Sequence, residues 1–296
     1  MQIITDQVYE FSKDNKPCAT AKPGEVLQFN TQDCFSNRIP DENTTMADLD
    51  YTYGFANPAA GPVYIEGAEP GDVLVVDIYE VKVADEGTIA TDDHCGPLFE
   101  TTGYRTKKIP IKDGMATFNQ VSFPINPMIG VIGTAPSGPD VIDGFVGSHG
   151  GNMDNTAITT GATLYFPVAV EGALFGCGDM HAAMGDGEVS VSGAEVAGYA
   201  TVTLTAMPEL KLVNPLIEND THFGIIVSAE SLDAAAELAV QQMVDLLASR
   251  TNESEADLVM LLSLVADVQV CQMVDPQKTV RFMVPKYVLD AIGFAL

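Results

Sequence analysis

Short β-prone runs, broken by Gly, Pro, Asp and Asn, fill most of the chain, from residue 1 to about residue 227. The runs lie at 63–65, 73–83, 121–123, 129–132, 164–170, 188–191 and 200–206. Turn sequences such as Glu69-Pro70-Gly71-Asp72 separate them, and closely spaced turns of this kind are typical of antiparallel strands. The pattern predicts a mainly β fold, built as a sandwich or barrel.

A short stretch of sequence occurs twice within this region. Residues 62–68 read PVYIEGA and residues 167–173 read PVAVEGA, with the same strand-then-turn pattern. The repeat predicts two related β-units and so a possible internal duplication. The alternative is a chance similarity between two strand-and-turn segments.

The character of the chain changes after residue 227. Ser231 is predicted to cap one helix, and a second helix is predicted to begin at Asn252, which has capping-box spacing with Glu255. Strands are expected at 268–274 and 280–284, and a last short helix at 286–292. We therefore expect a mainly β domain over 1–227, carrying the candidate site, and an α+β portion over 228–296 that packs on it.

The charge of the chain excludes several classes of partner. With 41 acidic and 14 basic side chains, its formal net charge is -27, which disfavours binding to nucleic acid and to anionic membrane surfaces. No run of apolar residues is long enough to span a bilayer, and the first residues do not resemble a secretory signal. The five cysteines contain no C-x-x-C pair. These features predict a cytoplasmic protein that binds neither nucleic acid nor membrane.

Two glycine-rich segments, 147–154 and 178–188, combine imidazole with carboxylate side chains. Their candidate metal ligands are His149, Asp154, Asp179 and His181. Glycine permits tight turns and close backbone approach, while imidazole nitrogen and carboxylate oxygen are the donors that a divalent cation requires. The second segment adds Asp186 and Glu188 as candidate acid-base groups.

Two more acids join these candidates because each follows a predicted strand. Asp33 is a further candidate ligand, and Glu66 is a further candidate acid-base group. For each acid taken singly, the alternative is a turn carboxylate that caps backbone amides. His94 is equally compatible with a surface position and with a functional site, whereas His222 is more compatible with a structural role.

Familiar amide-cleaving nucleophile motifs do not occur in the chain. It contains neither G-x-S-x-G nor H-E-x-x-H, and no glycine-rich nucleotide-binding motif. Cys34, Cys95 and Cys177 are more typical of buried small residues than of nucleophiles. A Cys-Glu-Lys arrangement stays open, because such residues meet in space and not in sequence.

The same glycine-rich segments closely resemble the acetamidase/formamidase family. The matching segments are residues 61–72, 130–136, 149–154, 178–181, 185–188, 258–263 and 284–286. The resemblance implies hydrolysis of short amides such as formamide or acetamide to ammonia and a carboxylate. It also implies a largely β fold, a bound divalent metal and assembly into homodimers or larger homo-oligomers. The chain departs from the family at Met184, where Gln is common, and at Ser148, where Glu is common.

These observations together give one hypothesis and its alternatives. A cation, zinc in preference to calcium, is held by Asp33, His149 and His181, with Asp154 or Asp179 beside it, and it activates water against a small neutral amide. Glu66, Glu188 or Asp186 would transfer the proton to the departing nitrogen. The alternatives are a non-catalytic metal- or ligand-binding β-protein on the same scaffold, and a hydrolase of a different or cyclic amide.

Overall fold

The computed structural model describes residues 1–49, 56–208 and 210–296, which are mostly strands. The strands are β1 (Gln2–Ile4), β2 (Gln7–Val8), β3 (Glu10–Phe11), β4 (Ala19–Ala21), β5 (Val26–Thr31), β6 (Ala59–Ile65), β7 (Val73–Val83), β8 (Glu86–Thr91), β9 (Arg105–Lys112), β10 (Met115–Phe118), β11 (Val121–Pro124), β12 (Met128–Gly133), β13 (Val141–Ile142), β14 (Val146–Gly147), β15 (Gly150–Asn152), β16 (Thr163–Pro167), β17 (Phe175–His181), β18 (Glu195–Val196), β19 (Gly198–Met207), β20 (Leu216–Glu218), β21 (His222–Ala229), β22 (Asp267–Gln272) and β23 (Lys278–Pro285). The helices are a 3-10 turn (Met46–Asp48), α1 (Phe99–Thr102), α2 (Leu232–Arg250), α3 (Glu255–Val265) and α4 (Lys286–Ala291).

Two large sheets contain most of these strands. The first has the order β1-β5-β19-β7-β16-β20-β21-β23-β22, and the second has the order β11-β10-β9-β8-β18-β17-β12-β15-β14, with β6 also pairing with β17. The main core lies between them: Phe29 on β5 meets Phe175 on β17 with ring centroids 5.3 Å apart. Both rings are fully buried, as expected where two sheets pack face to face. The predicted mainly β fold is confirmed.

The two copies of the repeated sequence lie against each other. β6 carries the first copy and pairs with β17, the strand that follows the second copy. In the same way, β16 leads into the second copy and pairs with β7, the strand that follows the first copy. The turns also exchange backbone hydrogen bonds, from Ile65 N to Gly172 O (3.0 Å) and from Gly172 N to Ala68 O (2.8 Å). This reciprocal pairing is what a duplicated β-unit would give, so it supports the predicted duplication.

We expect Gly172→Ala to lower the free energy of unfolding by about 1–3 kcal/mol, because the new methyl group would overlap the Tyr64 ring of the other copy. Gly172 also has a φ of +73°, which strains an alanine. Gly24→Ala is the matched control, since Gly24 has a φ of +75° and open space around it. Denaturant unfolding of both variants separates the effect of the steric overlap from the effect of backbone strain. If both variants lost the same free energy of unfolding, the packing of the two turns would be contradicted.

The last part of the chain covers the first sheet with helices. α2 and α3 pack Met243, Leu247 and Leu258 against Phe223 of β21 and Phe282 of β23, forming a second core. β22 and β23 extend the nine-stranded sheet beyond β21. The predicted boundary between residues 227 and 228 falls inside β21, and the sheet continues across it, so the division into two portions stays a prediction.

One of the two predicted helix caps is confirmed, and the other is wrong. The Ser231 side chain accepts a hydrogen bond from Ala234 N, as predicted for the start of α2. The second helix was predicted to begin at Asn252, but Ser254 is its N-cap and accepts from Asp257 N (3.2 Å). Ser254 and Asp257 stand three residues apart, so they provide an equivalent pair of capping groups two positions later.

The predicted strand at 188–191 is also wrong. Glu188 and Val191 have φ values of 48° and 73°, which break an extended conformation, and the segment is a loop. The buried Ser192 hydroxyl fixes this loop to β8 by bonding with both the N–H and the carbonyl of Ala90. In the described part of the chain, no helix is long and apolar enough to cross a membrane.

Candidate functional site

The candidate site is built around the carboxyl end of β17, a strand buried along its whole length. The Asp179 and His181 side chains lie together, with Asp179 Oδ1 3.4 Å from His181 Nε2, whereas Met180 belongs to the main core. Asp179 has a φ of 52°, an unusual conformation inside a strand. The local sequence thus places an imidazole and a carboxylate together on one buried surface.

Three carboxylates surround the His181 ring. Its Nε2 atom lies 3.1 Å from Glu195 Oε2, 3.4 Å from Asp179 Oδ1 and 3.7 Å from Asp154 Oδ1. None of these four side chains is more than 3% exposed. A single imidazole cannot neutralise three buried carboxylates, so the cluster requires further positive charge, either as protons or as a cation.

Two acids reach the cluster from loops with unusual backbone conformations. Asp154 follows β15 with a φ of 41°, and Glu188 lies in the loop between β17 and β18 with a φ of 48°. Left-handed conformations of residues other than glycine are uncommon and concentrate at functional sites, where the surrounding structure holds them. The strain at Asp154, Asp179 and Glu188 therefore coincides with the cluster itself.

The donor atoms form two adjacent groups, each with its atoms within 4.8 Å of one another. One group is Asp154, His181 and Glu188; the other is Cys34, Asp179 and Glu195. Both carboxylate oxygens of Asp154 are buried and receive no hydrogen bond from the described residues. Buried carboxylates left in this state fit a divalent cation, and imidazole nitrogen with carboxylate oxygen is a donor set suited to zinc.

Burial and mutual repulsion shift the ionisation of the cluster. Burial raises the pKa of Asp154 and of Glu188 well above the usual carboxyl range, and raises the pKa of Glu195 to about 7. Burial alone would lower the pKa of His181, but the carboxylates of Glu195 and Asp179 raise it well above its usual value.

Arg281 of β23 joins the two loops that carry Asp154 and Glu188. Its Nη2 donates to Asp186 Oδ2 (2.6 Å), and its Nη1 donates to Asn155 Oδ1 (2.9 Å). Asn155 directly follows Asp154, and Asp186 lies two residues before Glu188. The guanidinium group is only 8% exposed, so this clamp is part of the protein interior.

Glu188 also connects the cluster to a cavity of about 590 Å³. The cavity lies between the strands β8 to β11 and the loop 183–194. Most of its lining is apolar, including Ile89, Ile109, Phe123 and Met184. Apolar clefts of this size with a few polar groups at one end are typical of small-molecule sites.

The sequence profile of the Acetamidase/Formamidase family matches residues 9–143 and 145–291. The chain belongs to this family. It is 26% identical to a formamidase of Methylophilus methylotrophus over 62% of this chain and 60% of the relative, so it spans about 60% of that curated relative's length.

Solved structures of family members agree with this assignment over the whole chain. A predicted acetamidase/formamidase from Thermoanaerobacter tengcongensis has a TM-score of 0.96 and 43% identity, covering 100% of this chain and 99% of that one. An acetamidase from Bacillus halodurans has a TM-score of 0.96 and 40% identity, covering 99% of this chain and 100% of that one. The family fold thus extends through both cores of the protein.

In this family member, the structure brings together four of the predicted site residues. Asp154, Asp179, His181 and Glu188 lie in the cluster. Asp33 lies at its edge: it is buried, which raises its pKa, and it accepts a hydrogen bond from Asn37 N (2.6 Å). Its neighbour Cys34, not Asp33, supplies a donor atom to the second group.

His149 and Glu66 do not join the cluster. His149 lies beside Gly150, which pairs with Gly133 at one end of β12. His181 pairs with Met128 at the opposite end of the same strand. The His149 ring contacts Phe11, and burial lowers its pKa to about 4. Glu66 is exposed just after β6, roughly 20 Å along the sheet from the pairing of β6 with Gly178.

Asp186 lies near the cluster but bonds elsewhere. Its carboxylate pairs with Arg281 and accepts from the Thr156 hydroxyl (2.7 Å), and it is 40% exposed. Of the other histidines, His94 is 79% exposed beside Asp93, and His222 bonds to the Thr221 hydroxyl. Met184 lines the cavity, whereas Ser148 is exposed.

Three residues around the cluster were not predicted from the sequence. Glu195 belongs to a strand of two residues, and Cys34 was interpreted as a buried small residue. Asp275 follows β22, accepts a hydrogen bond from Asn152 Nδ2 (3.0 Å), and burial raises its pKa to about 7. Of these three residues, only Cys34 had a local signal in the sequence, which is its position next to Asp33.

Proposed function

We propose that this protein is an amidohydrolase that cleaves linear amides of the formamide and acetamide type to ammonia and a carboxylate. The observation that carries the proposal is the position of Glu188, which belongs both to the buried His181 cluster and to the lining of the apolar cavity. A neutral amide in the cavity therefore reaches a proton-transfer group beside the cluster. Family membership supports the same reaction class.

Asp154, Asp179 and His181 would hold a divalent cation, with Glu195 beside them, and zinc suits the imidazole better than calcium does. When bound, such a cation supplies a Lewis acid that polarises an amide carbonyl and makes water more acidic. The unpartnered oxygens of Asp154 and the excess of buried carboxylates support this assignment. His149, Asp33 and Asp186 are not included, because their side chains bond or lie elsewhere.

Glu188 is the proposed acid-base residue. Its carboxyl group takes a proton from the attacking water and delivers it to the departing nitrogen, which must be protonated because amide anions are poor leaving groups. Asp186, the neighbouring acid on the same loop, also lines the cavity, but both of its carboxylate oxygens are bonded to Arg281, and it is not one of the donor groups of the cluster.

Ammonia release from formamide and acetamide tests the proposal directly. We expect turnover by the purified protein, a stoichiometric divalent metal by elemental analysis, and loss of both in His181→Ala. Ammonia release with undiminished rate after exhaustive chelation would contradict the metal assignment. Bound metal without ammonia from any linear or cyclic amide would favour the binding-protein alternative, and ammonia from cyclic amides alone would favour a lactam hydrolase.

We expect Glu188→Gln to lower kcat by about 10²–10⁴-fold, because a carboxamide cannot transfer the proton. Glu66→Gln is the matched control, since Glu66 is exposed at the distant end of β6, and it should retain kcat. Steady-state kinetics on acetamide measure both effects. A loss of kcat in Glu66→Gln, with Glu188→Gln active, would reverse the assignment.

We further propose a cytoplasmic location and a homodimer or larger homo-oligomer, on the basis of the sequence and of the family resemblance. Light scattering of the purified protein measures its mass in solution. A monomeric mass of 31.4 kDa would contradict the assembly.

A further inference from the structure

The cavity beside Glu188 is much larger than acetamide requires. Its volume is about 590 Å³, within the range of roughly 300–1,000 Å³ that is typical of pockets for much larger ligands. Acetamide has only one methyl group beyond its amide. A substrate of that size would leave most of the cavity to water.

The apolar character of the cavity comes from several elements at once. β8 supplies Ile89, β9 supplies Ile109, and the β10–β11 hairpin supplies Phe118 and Phe123. The loop that carries Glu188 supplies Met184 and Val189. These side chains surround the same space from both sides, so they form an apolar wall beside the carboxyl groups of Glu188 and Asp186.

We infer that this cavity receives the acyl chain of the substrate, and that the protein prefers amides whose apolar acyl group is larger than acetyl. The inference rests on the proposed amide hydrolysis and names its substrate class. Placing the amide at Glu188 directs the acyl chain along the wall formed by Ile109, Phe123 and Met184. Each methylene group removed from water there stabilises the bound state by about 0.8 kcal/mol, roughly a fourfold gain in kcat/KM.

Hexanamide and acetamide are the probes for this inference. We expect kcat/KM for hexanamide to exceed that for acetamide at least tenfold. Val189→Asp places a carboxylate at the cavity and should lower the hexanamide-to-acetamide ratio at least fivefold. Val189 is 65% exposed, so its replacement does not disturb the core. Val213→Asp is the matched control, because Val213 is 68% exposed and is absent from the cavity lining, and it should keep the ratio of the unaltered protein.

The outcomes separate this inference from the proposed function. Acetamide hydrolysis without a preference for hexanamide would overturn the inference and leave the function intact. If no amide is hydrolysed, the proposed function fails, and the effect of hexanamide on the melting temperature then tests the acyl pocket by itself. An increase in melting temperature that Val189→Asp abolishes would support an acyl pocket. No increase would overturn the inference. A change of oligomeric mass in Val189→Asp with an unchanged substrate ratio would also overturn it, since the cavity mouth would then be an interface between copies.

Discussion

Alanine at position 130 should remove the activity of this protein without unfolding it. Gly130 lies in β12, across from Asp179 of β17, and an added Cβ atom would lie 2.6 Å from Asp154 Oδ1 and 2.8 Å from Asp179 Oδ2. The added Cβ would also lie 2.9 Å from the backbone carbonyl oxygen of Asp179, and Cβ atoms essentially never approach so closely, so both carboxylates and the adjoining backbone of β17 must shift. Small displacements of catalytic groups cost about 10²-fold in rate, and we expect at least that loss in kcat/KM.

The backbone of Gly130 makes this a clean experiment. Gly130 does not have a positive φ, so alanine adds bulk without backbone strain, and the overlap should lower the free energy of unfolding by only about 1–3 kcal/mol. Bound metal should fall in parallel with activity, as measured by elemental analysis after dialysis. Gly138→Ala is the control, because its Cβ would meet nothing within 4 Å, and it should retain both. Full metal and activity in Gly130→Ala would mean that Asp154 and Asp179 are not ligands.

The cluster shows what a sequence can reveal about a site of this kind. Asp179 and His181 were predicted because one glycine-rich segment combines an imidazole with carboxylates, and the structure places both residues in β17. Asp154 was found through the glycines before it. In each case, the signal that identified the residue lies within a few positions of it.

The residues that were missed or placed wrongly depend on contacts between distant parts of the chain. Asp186 and Glu188 look equivalent in the sequence, but Glu188 belongs to a buried donor group whereas Asp186 pairs with Arg281. Glu195 reaches His181 only because β18 pairs with β17. Such pairings follow from the sheet as a whole, and no local spacing encodes them.

His149 illustrates the opposite error. Its segment has the glycines and carboxylate of a metal-binding turn, yet the glycines serve the sheet: a Cβ at Gly150 would overlap the backbone of Ile132 in the neighbouring β12. Close approach of two strands therefore explains the glycine there, and the imidazole packs against Phe11. Glycine beside histidine indicates tight packing as often as it indicates a ligand.

Arg281→Ala should strongly lower metal affinity and kcat, because Arg281 positions groups of the site without touching the substrate. Arg281 is a positioning residue: it holds Asn155 next to Asp154 and Asp186 near Glu188. Without it, the two loops lose their common anchor. Residues that orient metal ligands typically contribute 10–100-fold to metal affinity, so we expect a loss of that size, accompanied by a similar loss in kcat.

Metal titration by calorimetry, with activity measured on the same samples, distinguishes positioning from a general loss of stability. Arg281→Lys restores the charge but not the planar fork of the guanidinium group, so it should recover only part of the affinity. Lys286→Ala is the matched control: its Nζ lies 3.0 Å from Glu218 Oε2, at the start of α4, and breaking that partly exposed pair should leave metal affinity unchanged. Equal metal affinity in Arg281→Ala and the unaltered protein would show that Asp154 and Glu188 keep their places without the clamp, and the left-handed backbone of both residues would then be sufficient to hold them.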